Sequence, residues 1–136
     1  MIDVYFRHLE QLLQQFPTIQ SSTLTRKVYN ATQGFITGSI LFENGCRLDF
    51  IEVKDIDVQA KIKYRYQYMD SYQELVFRYD NAPHHQQLKT FPHHKHLPYP
   101  YGEQESEEPS LEDVLLEIAQ YERREHPYER RVRGQN

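Results

Sequence analysis

The chain holds a single cysteine, Cys46, so an intrachain disulfide framework is excluded. Its neighbours alternate in a strand-like way, which predicts a buried, inert thiol. No apolar run approaches the ~18 residues that span a bilayer. A basic-then-apolar leader is missing from the N-terminus, and the expectation is a cytosolic protein with no membrane partner. The sequence shows no internal repeat. It also lacks the Cys pair or His-Glu-x-x-His pattern of common zinc sites. Positive charge is in deficit: 16 Lys+Arg face 20 Asp+Glu, a net charge of -4. Taken whole, that figure ranks nucleic acid low as a partner.

What is present reopens the question. At 136 residues one domain is the default. Hydrophobic residues at 38% and aromatics at 13% suit a folded chain rather than a disordered one. The charge is uneven. Residues 1–100 carry 11 Lys+Arg and 10 Asp+Glu, whereas residues 101–136 carry 5 and 10. The acidity therefore belongs to the C-terminal third, and an anionic partner for the body of the chain remains open.

Periodicity predicts an α+β domain over 1–122: an N-terminal helix, an antiparallel meander of about five strands and a C-terminal helix. Val4, Tyr5, Leu9, Leu12, Leu13 and Phe16 form the first helical stripe, with Asp3 as N-cap and Pro17 as stop. Thr23–Tyr29 and Phe35–Phe42 read as strands. Glu43-Asn44-Gly45-Cys46 then carries the Asn-Gly hairpin signal, and its second arm runs to about Val53. From Lys61 to Tyr68 the alternation is strict: Lys61, Lys63, Arg65 and Gln67 point one way, and Ile62, Tyr64, Tyr66 and Tyr68 the other. After an Asp70-Ser71 turn, Leu75, Phe77 and Tyr79 share one face, and Glu74, Val76, Arg78 and Asp80 the other. One sheet face is expected to be apolar and tyrosine-rich, the other to carry a basic strip. Residues 80–96 read as an ordered loop and 97–109 as an exposed, acidic, Pro-rich linker. The last helix spans about 110–122, with Ser110 and Asp113 as a capping box over a Leu111, Val114, Leu115, Ile118, Tyr121 stripe. Residues 123–136 read as a charged, flexible tail.

The chemically unusual feature is five histidines, His84, His85, His93, His94 and His96, within thirteen residues. Three readings are open. His94 and His96, at i and i+2 in an extended segment, could join His84 or His85 in a three-histidine site for zinc or another divalent metal. Alternatively no cofactor is needed. Histidine titrates near pH 6.5, so His84 or His85 and His94 or His96 could exchange protons while an RNA phosphodiester is cleaved. Arg78 and Asp80 join that catalytic set, and Lys61, Lys63, Arg65 and Lys95 would hold phosphate. In the third reading the loop is structural, Asp80 and Asn81 are turn residues, and the chain is a non-catalytic interaction protein. Glu103, Glu105, Glu107 and Glu108 are either a solvated linker or a polyanion mimic covering the basic face.

Arg78-Tyr79-Asp80-Asn81-Ala82-Pro83-His84-His85, followed by Phe91-Pro92-His93-His94-Lys95-His96, resembles the TumE-like family, toxins of prokaryotic toxin–antitoxin modules. Tyr64-Arg65-Tyr66-Gln67-Tyr68 and Pro109-Ser110-Leu111-Glu112-Asp113-Val114-Leu115 match in order, so the resemblance covers roughly residues 60–120. It implies a toxin and, as partner, a helix-turn-helix antitoxin encoded next door. A ribonuclease activity is the expectation that goes with such toxins.

Overall fold

The computed structural model describes the backbone of residues 1–135 and the side chains of 1–124. Its elements run α1 (Ile2–Leu13), β1 (Ile19–Val28), β2 (Gln33–Phe42), β3 (Arg47–Asp55), β4 (Lys63–Met69), β5 (Leu75–Asp80), β6 (His94–Leu97), β7 (Gly102–Glu105) and α2 (Leu111–Gln135). The seven strands form one antiparallel sheet in sequence order, so every connection is a hairpin or a short local return. This is the α+β meander that the periodicity predicts, with seven strands in place of about five.

The two additional strands come from segments read as irregular. His94–Leu97 pairs with Arg78–Asp80, and Gly102–Glu105 pairs back on His94–Leu97. Part of the expected 97–109 linker is thus the second arm of a hairpin. Its four-residue strands are too short to show alternation against a background of Pro, Tyr and Glu. The C-terminal helix also continues past 122, to Gln135. Side chains of the expected tail beyond Arg124 lie outside the described residues. No helix among the described residues is long and apolar enough to cross a membrane.

Both helices cover the same sheet face. Ile2, Phe6, Leu9, Leu12 and Leu13 of α1 and Leu111, Val114, Leu115 and Ile118 of α2 bury against Ile36, Ile40, Phe42, Leu48, Phe50, Tyr64, Tyr66, Tyr68 and Phe77. Burial of these side chains is the main favourable term in folding, at about 1.5–3 kcal/mol for each large one. In α1 the inward stripe is rotated from the expected one: Ile2 and Phe6 are buried and Val4 is exposed. Met1 occupies the N-cap, and Asp3 lies in the first turn without capping it. Within the sheet, the side chains of β1 and β3 that lie over Gly38 of β2 need bare backbone there. A Cβ at Gly38 would stand 2.2 Å from a Phe50 ring carbon and 2.7 Å from Leu24.

Local signals are realised as read at two turns and one cap. Gly45 takes φ +89° in the β2–β3 hairpin, where Asn44 Oδ1 accepts from the Cys46 amide. Asp70 Oδ1 accepts from the amides of Tyr72 and Glu74. Ser110 and Asp113 form a reciprocal box: each side-chain oxygen accepts from the other residue's amide at 3.0 Å. Cys46 is buried.

Candidate functional site

Cross-strand register decides which of the candidate residues meet. On the helix-free sheet face, Gln67 is opposite Arg78 and Arg65 opposite Asp80 between β4 and β5. Arg78 is opposite His96 and Asp80 opposite His94 between β5 and β6. His96 is in turn opposite Glu103, and His94 opposite Glu105. Because side chains alternate along a strand, Arg65, Arg78, Asp80, His94, His96 and Glu103 all rise from one face.

Asp80 is the hub. It is only 6% exposed; its carboxylate accepts from Arg78 Nε at 3.0 Å and the Ala82 amide at 3.0 Å, and His94 Nε2 stands 3.0 Å from it. His94 is 2% exposed, and its Nδ1 lies 3.0 Å from the Pro92 carbonyl. Each of its ring nitrogens lies against a protein oxygen, so neither is open to a ligand. A buried carboxylate with three such partners is stable, and the same low dielectric makes removal of one partner costly.

His96 stands one pleat further along β6. Arg78 Nη2 donates to its Nδ1 at 3.2 Å, which leaves Nε2 carrying the proton 3.0 Å from Glu103 Oε1. Burial, and then the Arg78 charge, hold His96 below the ordinary histidine value of 6.5, against the opposing pull of Glu103. His85 reaches the same place from the loop. Its Nε2 lies 3.4 Å from the same Glu103 oxygen, and its ring is 5.2 Å from that of His94 and 6.4 Å from that of His96. Its backbone sits at φ +59°, a left-handed conformation uncommon for a residue with a Cβ. Glu103 titrates below its ordinary value: burial opposes this, but its own backbone amide and the charges of His96 and His85 outweigh it. Exposed His84 flanks the group, its ring 6.3 Å from that of His85.

The remaining candidates are placed elsewhere. His93 turns to the helix side, where its Nδ1 is 2.9 Å from the Tyr64 hydroxyl and its ring stacks on that tyrosine. Lys95, between His94 and His96, faces α2 and donates to Glu117 at 2.6 Å over the rings of Phe77 and Tyr79. Tyr79 donates to the same carboxylate, and burial with that bond pushes its hydroxyl up to about 12. Lys61 departs from the expected alternation. The chain turns before β4 begins, so Lys61 is buried against Tyr64 and Tyr66 and donates to the Pro109 carbonyl, with Glu108 at 3.6 Å. Ile62 is exposed in its stead. Lys95 and Lys61 are therefore bound up with the α2 side, whereas Lys63 and Arg65 are exposed on the histidine face.

Among the described residues no group of three or more His, Cys, Asp or Glu is arranged to hold a metal ion. One group has no counterpart in the sequence reading. Glu52, fully buried on β3, accepts from the hydroxyls of Tyr5 and Tyr66. Burial and then the Glu52 charge raise both tyrosines well above their ordinary value. The available signal was parity: Glu52 and Lys54 follow Leu48 and Phe50 on the inward face of β3.

Neither a curated protein nor a solved structure matches the chain. The family described as Toxin TumE does match, over residues 9–125, from α1 through the histidine hairpin and into α2. The chain belongs to the TumE toxin family.

Proposed function

We propose that this member of a toxin family is a metal-independent ribonuclease whose proton-transfer pair is His85 and His96. The observation that carries the reading is the convergence of both Nε2 atoms on one point, the Glu103 oxygen, beside Arg78 and on the sheet face that also exposes Lys63 and Arg65. An RNA phosphodiester at that point would have a ring on each side. His85 takes the 2′-hydroxyl proton as the 2′-oxygen bonds to phosphorus. His96, taking a proton from solvent at Nδ1 as Arg78 turns from it to the phosphorane, gives its Nε2 proton to the departing 5′-oxygen, leaving a 2′,3′-cyclic phosphate and a free 5′-hydroxyl. Arg78 and Arg65 would balance the charge that builds on the phosphorane oxygens. Asp80 and His94 position Arg78 and the hairpin and do not touch substrate.

A purely structural histidine loop accounts for His94, buried between Asp80 and the Pro92 carbonyl, and for His93, stacked on Tyr64. It does not account for His85 and His96, which remain 29% and 26% exposed around a shared anion. A metal-dependent hydrolase is less well supported, because His94, a member of the three-histidine set, is buried with each ring nitrogen against a protein oxygen.

A toxin implies an antitoxin, and we propose a helix-turn-helix protein in that role. The test of the catalytic reading uses protein freed of its antitoxin and a short RNA of mixed sequence. Cleavage should persist in chelator, yield 2′,3′-cyclic ends and vanish on an all-deoxy strand. Absence of RNA cleavage, or loss of it in chelator, would overturn the reading.

A further inference from the structure

We infer that His85 and His96 form a phosphodiester-anion site whose resident occupant in the unliganded chain is the Glu103 carboxylate. The inference rests on the ribonuclease reading for the identity of the anion, but its geometry is independent of it. Two imidazoles, one from the loop and one from β6, direct the same nitrogen at one carboxylate oxygen, at 3.0 and 3.4 Å. Each is fixed there by something else. Arg78 holds His96 in the tautomer that presents Nε2–H, and the left-handed backbone at His85 turns its ring over the sheet.

The carboxylate arrives on the least anchored strand. β7 has four residues, pairs with β6 alone and closes the sheet at its edge. It starts at Gly102, whose φ is +64° and whose Cα has no neighbour within 4 Å of where a Cβ would be. A carboxylate and a phosphodiester present the same feature to the rings, a single negative charge spread over two oxygens, and they accept the same two hydrogen bonds. Glu103 therefore competes with substrate by mass action on one site. The local charge agrees: the face adds Arg78, Arg65, Lys63 and His84 against Glu105, with Asp80 already taken up by Arg78 and His94.

The test is a titration of the full chain with inorganic phosphate, and in parallel with a 2′-deoxy dinucleotide, followed by side-chain NMR of the histidines at fixed pH. Glu103→Gln should bind both ligands about tenfold more tightly than the unaltered chain, with the shifts concentrated on His85 and His96. Glu105→Gln, two residues on along the same strand face, should leave affinity unchanged. Equal affinities with and without the Glu103 carboxylate, or shifts centred elsewhere, overturn the inference. If Glu103→Gln does not fold, Glu103→Asp withdraws the carboxylate by one methylene and should give a smaller gain of the same sign. Phosphate binding without RNA cleavage would keep the anion site and remove the ribonuclease reading. Cleavage with a phosphate affinity indifferent to Glu103 would do the reverse.

Discussion

At the scale of residues, burial separates the histidines of this face. His94 is buried with its ring against Asp80, so it acts on the fold through that carboxylate. Asp80→Ala should cost about 3–5 kcal/mol in denaturant unfolding, because it leaves Arg78 and His94 without their shared partner. A loss under 1 kcal/mol would show that the hub is incidental. His96 makes a different contribution, visible in pH. Its proton affinity is lowered in the folded chain, by burial and then by Arg78, so the unfolded chain binds more protons below about pH 6.5. Stability should therefore be fully present above that pH and fall as the pH drops through it toward the folded value. Glu103, also lowered, adds a loss of the same sign at more acidic pH, below its ordinary 4.5. His96→Gln should flatten the first part of the melting profile between pH 7 and 5, and an unchanged profile would count against the Arg78–His96 contact. Five histidines in thirteen residues stood out in the sequence. Their division did not, since it depends on Tyr64, Asp80 and Arg78, which stand on other strands.

At the scale of elements, legibility followed the length of the pattern. The long strands β2 to β5 and the capping box of α2 could be read because alternation and end signals repeat within each segment. The β6–β7 hairpin could not, because four residues on each side give too little period, and its acidic arm resembles solvated linker. The Lys61–Ile62 inversion was hidden for a related reason: alternation continues in sequence through a residue that precedes the strand itself. Two substitutions check the packing account. Gly38→Ala forces a methyl into the Phe50 ring and should destabilise by about 1–3 kcal/mol, without altering the histidine face. Ser110→Ala removes the acceptor for the Asp113 amide and should cost about 1 kcal/mol. Both are measured by chemical unfolding. If Gly38→Ala proves neutral, the packing of Phe50 and Leu24 over Gly38 is looser than the distances imply.

At the scale of the whole molecule, the sheet separates two jobs. Its helix-covered face holds the core together with Lys61, Lys95 and the Glu52–tyrosine group. The other face collects Lys63, Arg65, Arg78 and the paired histidines. This division settles how the net charge of -4 should be read, since acids such as Glu108 and Glu117 are spent on lysines at the helix side. For RNA bound along the open face, Lys63→Ala with Arg65→Ala should reduce the slope of log affinity against log salt by about 1.4, at ~0.7 per phosphate contact on single strands. An unaltered slope would place the RNA elsewhere. The most direct test of the central claim is the single-turnover cleavage rate of one RNA oligonucleotide by His85→Ala, His96→Ala and His93→Ala at matched folded fraction. The account predicts a loss of at least about 100-fold for each of the first two and less than about threefold for the third. Equal losses in all three, or full rates without His85 and His96, would contradict it.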